Sequence, residues 1–151
     1  MKRRDALKNS AAVFGLLMAA GLVPQAALAA YNKSAFDAKT VADVMKALGA
    51  AAPVESKDVT LTAPDIAENG AVVPLGAATT LPNVKQMLIL VEKNPNTLVA
   101  SFVTNEALDA NFMTRAKLGQ SSDVYAVALT NDGKAFFAKK EVKVTLGGCG
   151  G

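Results

Sequence analysis

Residues 123–138 read DVYAVALTNDGKAFFA. Asp123 to Leu129 is a short, mostly apolar run of the kind that forms a β-strand. The turn residues Thr130-Asn131-Asp132-Gly133-Lys134 follow. Ala135 to Ala138 then resumes the apolar run, and the three pieces predict a β-hairpin. Working outward, Val84 to Val91 is an almost continuous apolar run and the best candidate for a central strand, ending at the turn residues Asn94-Pro95-Asn96. Leu98–Val103, Phe112–Leu118 and Val59–Thr62 read as further strands, as does Ala71-Val72-Val73-Pro74-Leu75, with Val72, Val73, Ile89 and Val91 assigned to the core. Pro74 suits a strand end or edge. Pro64 to Gly70 reads as a turn, with Asn69-Gly70 able to adopt positive φ. A last strand carries Val142, Val144 and Leu146 on one face, with Lys143 and Thr145 on the other. Strands at this spacing predict a mainly β chain, an immunoglobulin-like antiparallel β-sandwich lacking the disulfide of antibody domains.

Ahead of the strands, Phe36, Val41, Val44, Met45 and Leu48 recur at helical spacing. They predict one N-terminal amphipathic helix over residues 34–48, capped by Ser34 with Asp37 three residues on and stopped by Gly49. Its apolar stripe reads as core. The domain so outlined spans residues 30–146.

Residues 1–29 have a different texture. Lys2, Arg3, Arg4 and Lys8 precede an apolar stretch from Ala11 to Val23, and small residues follow. This is a signal-peptide pattern, with Ala27 and Ala29 fitting the A-x-A rule and cleavage placed after Ala29. The apolar stretch is short of the roughly 20 residues that span a bilayer, so no stable membrane insertion is expected after processing. Arg3 and Arg4 within KRRDALK resemble a twin-arginine signal, departing from it at Ala6, where that pattern prefers Phe; this directs the chain to the periplasm by the twin-arginine route. Removing residues 1–29 leaves 12 basic against 12 acidic residues. The high isoelectric point therefore belongs to the leader and gives no argument for nucleic acid.

The chain has no His and one Cys. Imidazole-based hydrolysis and the commonest zinc, copper and haem ligands are thereby removed, as are an internal disulfide and a CxxC pair. No metal site and no bound cofactor are expected. The single thiol stands in the closing pentapeptide Gly147-Gly148-Cys149-Gly150-Gly151. Four glycines supply backbone freedom without side-chain bulk, so residues 147–151 read as a narrow flexible arm. At about 3.3–3.6 Å per residue, Cys149 reaches on the order of 10 Å beyond Leu146. Lys139, Lys140 and Lys143 lie nearby in sequence, and read either as a solvated edge that deters aggregation or as weak support for a thiolate.

The pentapeptide, the preceding KEVKVTL (140–146), the stretch PDIAENG (64–70) with the apolar run behind it, and the twin-arginine-like leader together resemble the SoxY family. These are the sulfur-carrier subunits of a periplasmic thiosulfate-oxidising system. The resemblance covers essentially the whole chain, and the pentapeptide is its most specific part. It implies that Cys149 is the covalent attachment point for sulfur, as thiosulfonate and persulfide adducts, and that Gly147, Gly148, Gly150 and Gly151 form the carrier arm. It implies a heterodimer with SoxZ, a second small β-protein, and transient contacts with SoxXA, SoxB and, where it is present, SoxCD. On this reading the chain is a carrier that enzymes act on, with no catalytic residue of its own. The residues alone leave open an exported interaction protein that uses Cys149 for an intermolecular disulfide. A thiol-disulfide catalyst would lack a resolving cysteine.

Replacing Arg3 and Arg4 together by Lys should abolish export, read as accumulation of the uncleaved precursor in cell fractions. Normal export of that variant would reject the twin-arginine reading.

Overall fold

The computed structural model describes residues 32–105 and 109–145. In chain order the elements are helices α1 (Lys33–Asp37) and α2 (Val41–Ala47), then strands β1 (Val54–Glu55), β2 (Val59–Thr62), β3 (Ile66–Ala67), β4 (Val73–Thr79), β5 (Val84–Val91), β6 (Leu98–Val103), β7 (Asn111–Ala116), β8 (Ser122–Thr130) and β9 (Ala135–Val144). One six-stranded sheet has the order β1-β9-β8-β5-β6, with β3 also pairing β9, and a three-stranded sheet has the order β2-β4-β7.

The near-continuous apolar run of β5 has a direct cause: both of its faces are covered. Met87, Ile89 and Val91 point into the core between the sheets, alongside Leu75, Ala77, Leu118 and Val142. Leu88 and Leu90 point the other way, against Val44 and Met45 of α2 and Ala35 of α1. β8 divides in the same way, with Val124, Ala126 and Ala128 between the sheets and Val127 and Leu129 under the helices. Apolar–polar alternation is weak in such strands because most of their side chains are buried. Across the sandwich rim, the Phe102 and Phe112 rings stack with centroids 4.7 Å apart, joining β6 to β7.

The 123–138 hairpin forms as read, with β8 and β9 paired antiparallel from Leu129↔Ala135 to Ser122↔Val142. Gly133 takes φ 83° in the turn. The two segments expected after it are one continuous β9, because β8 pairs it from Ala135 to Val142 and β3 pairs its Lys143 and Val144. The sandwich is not wholly antiparallel: β1 and β3, each two residues long, run parallel to β9.

Other local departures have physical reasons. The helix expected over 34–48 is two helices, interrupted where Ala38 is extended and its carbonyl accepts the Thr97 N–H at 3.1 Å. The caps are Asn32 and Thr40, whose side chains accept from the Ala35 and Asp43 N–H groups, while Ser34 lies inside α1. The apolar stripe is core as expected, and Gly49 takes φ 64° just past the helical segment. β4 starts at Val73, leaving Val72 54% exposed instead of in the core. Pro74 sits in a central strand, but β2 pairs only with Gly76 to Thr79, so the Pro74 stretch has a neighbour on one side only.

Truncating Leu88, fully buried under the helices, to Ala should cost about 2–5 kcal/mol in urea denaturation. The same truncation of Val103, 77% exposed, should change stability by less than about 0.5 kcal/mol. Equal losses at the two sites would contradict this assignment of the core.

Candidate functional site

Cys149 and the arm glycines Gly147, Gly148, Gly150 and Gly151 lie outside the described residues, as do the export and cleavage residues Arg3, Arg4, Ala27 and Ala29. The structure describes the foot from which the cysteine segment departs. β8 begins at Ser122, opposite Val142, so Lys143, Val144 and Thr145 run past the end of their main partner. Their backbone groups are taken up elsewhere. β3 pairs Ile66 with Lys143 and Ala67 with Val144. The Lys143 N–H donates to the Asp65 carbonyl at 3.0 Å, and the Thr145 N–H donates to the Ala67 carbonyl at 3.1 Å. From another direction, the Val144 N–H donates to Ser121 Oγ at 2.9 Å.

The residues after β3 lock this arrangement. The Leu118 N–H donates to the Gly70 carbonyl at 2.7 Å. A Cβ on Gly70 would stand 2.5 Å from the Leu118 oxygen and 2.8 Å from Val144 Cγ1. Gly70 is thus required for close approach. Its φ is not positive; among the described residues Asn83, Gly49 and Gly133 have positive φ. Asn69 Oδ1 instead accepts from the Ala71 N–H at 2.9 Å and folds the turn locally.

The lysines near the foot are differently employed. Lys139 pairs with Asp123 at 3.4 Å and lies 5.9 Å from the centre of the Tyr125 ring, and hydrogen bonding to Asp123 raises its pKa. Lys140 pairs with Asp65 at 2.8 Å and donates to the Ala63 carbonyl at 2.9 Å. Lys143 is exposed and enters none of the ion pairs among the described residues. The lysines nearest the foot therefore do not act as one cationic cluster: carboxylates engage two of them.

The sequence reading missed Ser121 and the strand character of Ile66-Ala67. Two apolar residues between Pro64-Asp65 and Glu68-Asn69-Gly70 are too few for a period to register, and a serine in a polar run has no signal until its partner is placed. Among the described residues, no group of three His, Cys, Asp or Glu side chains is placed to hold a metal ion, and no helix is long and apolar enough to cross a membrane. A polar cleft of about 480 Å³, lined in part by Thr79, Asn83, Lys85, Thr104 and Asn131, opens where β4 ends and β5 begins. It stands at the Thr130 end of β8, away from the foot at the Ser122 end.

Two sheets packed face to face, with short helices covering the larger one, are an immunoglobulin-like architecture. In fold alone it is similar to a superoxide reductase (neelaredoxin) from Ignicoccus hospitalis: TM-score 0.51 and 17% identity over 58% of this chain and 80% of that one. The sequence goes further, and the chain belongs to the SoxY family. The family model described as "Sulfur oxidation protein SoxY" matches residues 44–149, and the sulfur carrier protein SoxY from Chlorobium limicola f thiosulfatophilum is 31% identical over 71% of this chain and 97% of that one, with TM-score 0.63. No curated protein matches the chain in sequence. Members of the family are sulfur carriers, not enzymes. The family implies covalent sulfur on a cysteine, SoxZ-type partners and a typically periplasmic setting.

The exposed Asp65–Lys140 pair gives a titration test of the foot. Hydrogen bonding to the Lys140 ammonium, followed by its charge, holds the Asp65 carboxyl below its ordinary value of 3.8. A carboxyl that titrates lower when folded stabilises the fold above its unfolded pKa, and that contribution is lost as pH falls through the lower folded value. Lys140→Ala should move the Asp65 carboxyl-carbon NMR midpoint up toward 3.8, and an unmoved midpoint would show that the pair does not persist in solution.

Proposed function

We propose that the chain is a periplasmic carrier that holds thiosulfate-derived sulfur on Cys149 and presents it to partner enzymes. One observation carries this reading: the only cysteine of the chain lies between glycine pairs, and the SoxY family match runs to that residue. With no histidine and no second thiol, Cys149 is the group in the chain suited to form a reversible bond to sulfur.

In the first step the Cys149 thiolate and the sulfane sulfur of thiosulfate form an S–S bond. Two electrons leave to a haem-containing partner of the SoxXA type, and the product is Cys149–S–S–SO3⁻. In the second step a SoxB-type hydrolase adds water across the S–SO3 bond, giving sulfate, two protons and the persulfide Cys149–S–S⁻. Where a SoxCD-type partner is present, it oxidises the persulfide sulfur further. The carrier supplies a nucleophile and reach, and the metal and haem chemistry belong to the partners. SoxZ is the proposed stable partner, and twin-arginine export with cleavage after Ala29 the proposed route, with residues 30–146 as the folded body and 147–151 as the arm.

Intact mass spectrometry of the native protein from thiosulfate-grown cells, with and without reductant, tests this reading. The expected result is a chain beginning at Ala30 with reductant-sensitive thiosulfonate or added sulfur on Cys149, absent from Cys149→Ser. A Cys149 found only as an unmodified thiol or as one protein–protein disulfide would overturn the carrier role in favour of an interaction protein.

A further inference from the structure

The foot is more heavily tied than the end of a strand requires. Strands commonly fray where their partner stops, yet Lys143 to Thr145 continue past the end of β8 with three backbone N–H groups bonded. Two of these bonds go to Asp65 and Ala67, and the third goes to a side chain, Ser121 Oγ. Gly70 permits the packing, since any side chain there would strike Val144 and Leu118. These ties reach Thr145, the last described residue, two positions before the glycine-rich sequence.

We propose that Ser121, with the segment Asp65–Gly70, is a positioning clamp that makes Thr145, instead of Val142, the point from which the Cys149-bearing segment departs. Its use in sulfur transfer rests on the carrier role proposed above. Clamped at Thr145, the cysteine is four residues from its anchor, and released to Val142 it would be seven. At about 3.3–3.6 Å per residue, the limit of reach grows from about 13–14 Å to about 23–25 Å. For a flexible tether the root-mean-square span grows about 1.3-fold, as the square root of length. The local concentration of the thiol at a docked partner's site then falls about twofold, as length to the power −3/2. The clamp holds the tether short, so that a partner bound to the body meets the thiol at higher concentration. Ser121 touches no sulfur in this scheme and acts only through the position of Val144.

Pulsed EPR on the mature chain measures the departure point directly. One nitroxide is placed on Cys149 and a second on a cysteine introduced at the exposed Lys46 on α2. Ser121→Ala and Gly70→Ala should broaden the inter-label distance distribution, up to about 1.3-fold for full release to Val142. Ser121→Thr, which keeps the hydroxyl, should stay near the parent width. Thr130→Ala serves as the control, because it removes hydrogen bonds to Asp132 and to the Lys134 carbonyl at the opposite end of β8. Unchanged width in Ser121→Ala would overturn the proposal, as would equal broadening in Thr130→Ala; if Gly70→Ala does not fold, Ser121→Ala decides alone. The readout involves no sulfur chemistry. Failure of the clamp therefore shows here, and failure of the carrier role shows in the mass spectrum.

Discussion

Everything in this domain depends on β5 and β8 being buried on both faces. Leu88 and Leu90 are sealed by the helices, Met87, Ile89 and Val91 by the second sheet, and the two cores share one wall of backbone. A wall with no wet side has no freedom of register, since a one-residue slip would exchange the two sets of side chains between cores of different shape. The β5–β8 pairing from Val84↔Thr130 to Val91↔Val124 is thereby fixed, and β9 inherits its register from β8. The position of the last described residue, Thr145, thus traces back to the burial of Leu88 and Ile89.

Much of this was legible in the sequence, for identifiable reasons. β5 and β6 were readable to the residue because apolar side chains begin and end with the strands and turn formers bracket them. The hairpin at Gly133 was readable because five consecutive turn residues leave few alternatives. The helix was read as one because Phe36 was joined to Val41, Val44, Met45 and Leu48, although it stands five residues before Val41, and the sequence does not reveal that the Ala38 carbonyl is needed by Thr97. Val72 was misassigned because it is as apolar as Val73, and only the start of β4 separates a 54% exposed side chain from a buried one. At the foot, the strong signal was Cys149 itself. The supporting residues were silent because a two-residue parallel strand and one serine hydroxyl have no local pattern.

The division of labour suits the fold. A double core with no charged side chain buried in it among the described residues is stable without being reactive, and it is a fixed body. The ionisable groups near the foot are surface pairs such as Asp65–Lys140 and Asp123–Lys139, which are solvated and screened by salt. Such pairs carry little net charge. A sulfur carrier has use for that neutrality, because its adduct has to survive transit and react only inside a partner.

The sheet order β1-β9-β8-β5-β6 sets the timing of folding. β9 is the last of the described strands in chain order, yet it lies inside the larger sheet, with β8 on one side and β1 and β3 on the other. A chain cut short before Ala135 leaves β8 with a bare edge and removes Val142 from the core. The sandwich can therefore close only once β9 has been made, and closure itself becomes a check that the chain extends through that strand. A molecule that has folded therefore carries its chain through β9, and quality control that discards unfolded chains also discards those cut short before that strand.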